Sequence, residues 1–220
     1  ASSTADAIVI LGDLFEVWVG DDAIDAQATI PEGSPSTPSF EAHCAAVLRA
    51  AATRRPVFFM HGNRDFLLGE RFAQFTGTQR LSDPTLLTWQ GDDDKHSGVL
   101  LSHGDALCLD DVAYQAFRAE VRTQAWQAHF LSKPLAERVG IARHIRTESE
   151  ATKRMQPLDS SIDLDSSAAR AWLVACGAST LLHGHTHRPA EHDLGHGMRR
   201  VVLSDWDVSA QPPRAQVLGV

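Results

Sequence analysis

The 220 residues carry 28 Asp and Glu against 20 Lys and Arg, a formal net charge of −8, with 43% hydrophobic and 22% charged residues. That balance excludes a disordered chain and argues against general nucleic-acid binding, which needs a positive field over phosphates. No apolar run approaches the ~18 residues of a membrane-spanning helix, and no repeat has the period of a solenoid or propeller.

The first segment, DAIVILGD (6–13), is a short apolar run that stops at Gly-Asp, as a buried strand does at its polar tip. No basic stretch precedes it, so it does not read as a signal peptide. QATIPEGSPSTPSF (27–40) holds three prolines among Ser and Thr and reads as a loop. FEAHCAAVLRAAATRR (40–55) has the alanine-rich composition of a helix and stops before Pro56. PVFFMHGNRD (56–65) repeats the strand-and-tip design, and GVLLSHGD (98–105) repeats it again. WQGDDDKHSG (89–98) reads as a hairpin tip whose Asp run is a solvated turn rather than a cation site.

The stretch 111–154 differs. It lacks strand signals and contains one proline, Pro134, and one glycine, Gly140. Phe117 with Val121, and Trp126 with Phe130, sit at i and i+4, the spacing of amphipathic helices. From 118 to 154 eight Lys or Arg stand against four Glu, about +4 in a chain of −8. A solvated helix face and an inserted helical cap that meets an anionic, apolar ligand both fit this pattern.

DSSAARAWLVACG (165–177) opens on capping residues and ends on Gly, a further helix. STLLHGHTH (179–187) and RRVVLSDWD (199–207) are two more strands. Strands alternating with helices predict an α/β fold with a sheet covered on both faces. Cys44, Cys108 and Cys176 form no CxxC and read as small buried hydrophobes in a reducing compartment, which makes the expected location cytoplasmic.

The strand tips carry the chemistry: Gly12-Asp13, Gly62-Asn63-Arg64-Asp65, His103-Gly104-Asp105 and Gly184-His185-Thr186-His187. Ligands of open α/β sheets gather where strands end, and glycine lets backbone turn sharply beside them. One carboxylate, one amide oxygen and three imidazoles suit borderline divalent ions such as Mn, Fe, Zn or Co. Two such ions ~4 Å apart clamp phosphate oxygens and supply a hydroxide. Asp13 is the candidate bridge between them, and Asn63 offers a neutral oxygen.

GD, GNRD, HGD and GHTH in this order resemble the calcineurin-like metallophosphoesterase superfamily. LGDLFEVWVGDD, HGNRDFLLG, SHGDALCLDDVAYQAFR and LLHGHTHRPA are more specifically similar to the UDP-2,3-diacylglucosamine diphosphatase family of lipid A biosynthesis. The resemblance runs from about residue 6 to the end. It implies a sandwich of β-sheets flanked by helices, with a core of 1–110 and 166–220 and an inserted helical cap, 111–165, over two acyl chains. The implied reaction cleaves the pyrophosphate of a UDP-linked diacylated glucosamine to UMP and a lipid monosaccharide 1-phosphate.

Carried over motif by motif, the metal ligands are Asp13, Asn63, His103, His185 and His187, holding two Mn²⁺ per chain or other divalent ions. His183 takes a structural or supporting role. Arg64 stands where many relatives have histidine, and can grip phosphate oxygens bidentately and stabilise developing charge. Asp13, Asn63, Arg64 and His103 are the expected catalytic set. Asp111, Tyr114, Arg146, Ser149 and Lys153, with Asn63, Arg64 and His185, are the expected substrate contacts. The positive cap suits peripheral attachment to the cytoplasmic face of the inner membrane. No nucleic-acid partner is expected, and the oligomeric state stays open.

Two departures stand out. The family pattern begins with a strand ending in D-x-H, and none lies upstream of Asp13; the expectation is a partial chain, with an edge exposed where that strand belongs. In the cap, Lys153 and Gln156 stand roughly where the family has Asn and Lys. The competing readings are a phosphoesterase of soluble nucleotides, which needs no apolar cap, and a silent binding relative, which would hold fewer than two metals.

Overall fold

A computed structural model describes residues 5–25, 38–90, 96–155 and 163–220, with only the backbone at 90, 96–97 and 149–155. Most of the proline-rich segment, the Asp run at 92–94 and Gln156 lie outside the described residues. The chain forms two compact units, Ala1–Arg80 with Ala116–Ser161, and Leu81–Gln115 with Ile162–Val220.

The first unit contains a three-stranded parallel sheet of β1 (Ile8–Ile10), β2 (Val57–Phe59) and β3 (Gln79–Arg80) in that order. Ile8 pairs with Val57 and Ile10 with Phe59. Strand β1 stands at the sheet edge, pairing with β2 alone among the described residues, and Ile8 is exposed. Between β1 and β2 runs α1 (Phe40–Ala52), capped by the Ser39 hydroxyl on Ala42 N at 3.1 Å. Helix α2 (Glu70–Thr76) joins β2 to β3 and was not expected from the sequence.

The N-terminus of α2 shows why local pattern missed it. Its cap residue is Gly69, which has no side chain to offer. The carboxylate of Asp21 substitutes from 48 residues away, accepting from Gly69 N at 3.0 Å and Phe72 N at 2.9 Å. A carboxylate there also complements the positive end of the helix. The neighbouring Asp22 binds Arg138, whose guanidinium is 3% exposed and also reaches the Val19 carbonyl. A Cβ on Gly20 would sit 2.2 Å from that guanidinium. Each letter of Gly20-Asp21-Asp22 therefore has a packing reason.

The core of this unit is aromatic. Phe15, Trp18, Phe59 and Phe72 pack with centroids 4.5 to 5.9 Å apart, Phe72 edge-on to the other three. Edge-to-face pairs of this kind add to plain burial. Helices α3 (Val112–Val121), α4 (Gln124–Leu131) and α5 (Leu135–Met155) form the helical stretch that sequence anticipated, α3 crossing from one unit into the other. Phe130 of α4 is buried in the aromatic core, with Trp126 stacked on it at 4.9 Å and Leu135 and Val139 of α5 packed alongside.

The second unit holds a five-stranded mixed sheet, β4-β5-β6-β8-β7. Strands β4 (Thr85–Gln90) and β5 (His96–Ser102) form the expected antiparallel hairpin. Strand β6 (Thr180–His183) runs parallel to β5 and to β8 (Met198–Val202) and is buried along its whole length. Strand β7 (Glu191–Gly195) is an edge that the sequence reading did not find, because only Leu194 of its five residues is apolar. Helix α6 (Ser166–Cys176) is capped by Asp165 and closed by Gly177 at φ +67°. Its Ala169 and Leu173 pack with Leu100, Leu107, Leu181 and Leu194 to form the core. The architecture is α/β, two open sheets with helices against them.

Candidate functional site

Each unit carries part of the donor set read from the strand tips. In the first, β1 ends at Ile10 and, after Leu11, the chain turns through Gly12 and Asp13 at φ +86° and +53°. Asp and Asn tolerate this left-handed region better than most residues, at a cost of roughly 1 kcal/mol. Asp13 is fixed by its neighbours: its Oδ1 accepts the Arg64 backbone N–H at 2.9 Å, and Arg64 Nε lies 3.7 Å from Oδ2. A Cβ on Gly62 would fall 2.1 Å from Asp13 Oδ1 and 2.3 Å from its backbone nitrogen, which is why this tip begins with glycine.

Asn63 sits half-buried between Gly62 and Arg64. Asp65, fully buried, knits the two tips together, accepting from Gly62 N at 2.8 Å and Leu14 N at 2.7 Å. Arg122 donates to the Gly62 carbonyl at 2.9 Å, its guanidinium over the Phe66 ring. Arg64 and Arg146 converge on a single carboxylate oxygen, Oε2 of Glu16, the second at 2.8 Å. Sequence reading had singled out neither Asp65 nor Glu16. Both stand inside motifs, Asp65 in HGNRDFLLG and Glu16 in LGDLFEVWVGDD, but neither motif says what the carboxylate touches.

In the second unit, His103 follows β5 and is 1% exposed. Its backbone N–H points to Asp83 at 3.3 Å and its carbonyl accepts from Gly184 N at 3.0 Å, tying the β5 and β6 tips. His185 and His187 both have left-handed backbone, φ +63° and +54°. The His103 and His185 rings meet at 5.1 Å, and Tyr114 stacks on His185 at 6.0 Å. The Tyr114 hydroxyl donates to Asp105, a fully buried carboxylate the sequence reading left without a role. His187 is half-exposed, with Nδ1 3.9 Å from Asp205. Asp205 is in turn gripped by Arg214, whose hydrogen bonds and charge hold its carboxyl below the usual range.

His183 stands apart. It is fully buried, and burial pushes its pKa down to about 4. An Arg200 guanidinium nitrogen lies 3.3 Å from Nε2, which must therefore accept, leaving Nδ1–H for the Gly184 carbonyl at 2.9 Å. With both nitrogens engaged, it supports the tip from behind.

Among the expected substrate contacts, Asp111 caps α3 by accepting from Tyr114 N at 3.0 Å. Tyr114 gathers with His185 and Asp105, and Arg146 with Arg64 on Glu16. Ser149 and Lys153 lie on the final turns of α5, and their side chains are outside the described residues. The oxygen donors of the first unit and the imidazoles of the second are of the types that hold borderline divalent ions.

The calcineurin-like phosphoesterase family model matches residues 1–189. UDP-2,3-diacylglucosamine hydrolase of Chromobacterium violaceum is 48% identical over 91% of this chain and 76% of its own length. The proteins of that name from Xanthomonas axonopodis pv. citri and Bordetella pertussis are 44% and 41% identical, over 92% and 97% of this chain and 78% of each relative. The chain belongs to the calcineurin-like phosphoesterases and, within them, to the UDP-2,3-diacylglucosamine hydrolase family.

Proposed function

We propose that this protein hydrolyses the pyrophosphate bond of UDP-2,3-diacylglucosamine, releasing UMP and 2,3-diacylglucosamine 1-phosphate in lipid A biosynthesis. The observation that carries this reading is the likeness to hydrolases of that name over nearly the whole chain, helical segment included. A calcineurin-like phosphoesterase is a hydrolase that uses divalent metal. In our reading Asp13, Asn63, His103, His185 and His187 hold two Mn²⁺, with other divalent transition ions as substitutes. Bound metal would supply Lewis acidity on the phosphate and a water acidified toward hydroxide.

The remaining chemistry is that of the chain's own groups. Asp13 is held by Arg64 N and crowded by Gly62, so its carboxylate has little freedom to turn away. Arg64 neutralises charge on the diphosphate, and Arg146 joins it. Asp111, Tyr114, Ser149 and Lys153 complete the substrate contacts, Tyr114 through its stack on His185. We assign 111–165 as the helical cap over the acyl chains. The net positive charge of the segment and the exposed Leu131 of α4 support that role. No helix among the described residues is long and apolar enough to cross a membrane. Peripheral attachment at the cytoplasmic face of the inner membrane is the arrangement we propose, through those same cations.

The test is release of UMP from UDP-2,3-diacylglucosamine with manganese and detergent, beside a chelated control. Metal-dependent release is expected. Retention of intact lipid without hydrolysis would overturn the enzymatic reading.

A further inference from the structure

Glu16 has features that mark it out from an ordinary surface acid. It lies three residues beyond Asp13 and is 71% exposed, yet one of its oxygens, Oε2, receives guanidinium groups from two distant parts of the chain. Arg64 comes from the β2 tip, 48 residues on, and Arg146 from α5, 130 residues on. Two guanidinium groups brought to one oxygen repel each other unless an anion lies between them.

Exposed ion pairs contribute little to stability, about 0–1 kcal/mol each. The Glu16 pairs are therefore poorly explained as fold stabilisers. They are also easily exchanged. A carboxylate carries one charge and offers one shared oxygen here. A diphosphate carries more charge and has several oxygens, so each guanidinium can engage it bidentately. Arg64 is prepared for that exchange. Its backbone is pinned by the bond from its N–H to Asp13, so only its side chain need move.

We infer that Glu16 is a stand-in anion: it holds Arg64 and Arg146 together while substrate is absent and yields them to the diphosphate on binding. This rests on the reading of those two arginines as phosphate-gripping. Glu16 touches no reacting atom in this scheme. It is a positioning residue that competes with the ligand, setting affinity rather than the chemical step.

The competition gives an uncommon prediction, that removing a charged group beside the site tightens binding. Glu16→Gln keeps the shape and removes the charge. By titration calorimetry at equal metal loading, inorganic pyrophosphate should bind the variant about three- to tenfold more tightly than wild type, the scale of one partly screened charge. KM for the UDP-lipid should fall with it, while kcat does not rise. In an Arg64→Ala, Arg146→Ala background the same Glu16→Gln change should leave pyrophosphate affinity unaltered. Unchanged or weaker pyrophosphate binding by Glu16→Gln alone would overturn the inference, as would a gain that persists without the two arginines. Failure of wild type to release UMP would instead count against the proposed reaction, since pyrophosphate binding is read without turnover.

Discussion

Gly62 and Asp13 are packed so closely that the smallest side chain at position 62 would lie 2.1 Å from the Asp13 carboxylate. Nearly any substitution must therefore move a candidate metal ligand. Gly62→Ala is expected to cost about 1–3 kcal/mol of stability through overpacking. Displacing the carboxylate by a fraction of an ångström should lower turnover on the order of 10²-fold. Thermal melting and UMP release, measured on the same preparation, check both parts. Wild-type activity in this variant would mean that the tip flexes more freely than its contacts indicate.

Asp13→Ala addresses the ligand itself. The proposed bridging role predicts loss of bound metal, by elemental count per chain, and loss of turnover, with far-ultraviolet circular dichroism unchanged. Chelation of the wild-type protein should reproduce the kinetic defect, and added Mn²⁺ should reverse it in wild type alone. A full metal complement in the variant would remove Asp13 from the ligand set.

Arg64→Ala separates charge stabilisation from scaffold. The backbone N–H that fixes Asp13 survives this change, so the donor geometry should too. Turnover is expected to fall by a factor on the order of 10²–10³, the size of losing one positioned donor to developing charge. Metal content should not change. An unaltered rate would leave the guanidinium with no part in the reaction.

The pair of Asp163 and Arg200, joined at 2.6 Å, supports His183 from below. Arg200 is 3% exposed, so removing its partner strands a buried charge. Asp163→Ala should cost about 1–3 kcal/mol. Burial alone would raise the Asp163 carboxyl, but hydrogen bonds and charge from Arg200 outweigh it, and the folded value lies below the ordinary 3.8. A carboxyl depressed on folding contributes its stability fully above 3.8 and loses it as pH falls through the lower folded value. Wild type should thus lose its advantage over the alanine variant in acid, below pH 3.8. Urea midpoints across pH 2 to 7 would show a gap that narrows toward the acid end, and a constant gap would contradict the assignment.

How much of this was legible in the chain depends on the range of the contacts involved. Five apolar runs announced β1, β2, β5, β6 and β8, because a run of apolar side chains needs no distant partner to be visible. Helices α1 and α6 carried their own caps, Ser39 and Asp165. Helix α2 did not, since its cap is Asp21, and β7 alternates too weakly to signal. The same division holds in the site. Donor types at the tips were readable as Asp13, Asn63, His103, His185 and His187. The neutral, doubly bonded state of His183 depends on Arg200, and the role of Glu16 depends on residues 48 and 130 positions away. No local pattern encodes either.

Four non-glycine residues hold left-handed backbone among the described residues, and three of them are Asp13, His185 and His187. Asp and His are among the few side chains that both donate to metals and are enriched in that region of backbone space. Packing within the chain contributes to meeting the conformational cost of aiming these donors, as where Arg64 N–H and Gly62 fix Asp13. A zinc finger behaves oppositely, since there the ion's binding energy is what folds the chain. For the proposed ligand set, loading would meet donors whose backbone each unit already holds. Metal held by that set would add to stability by mass action on an already folded protein.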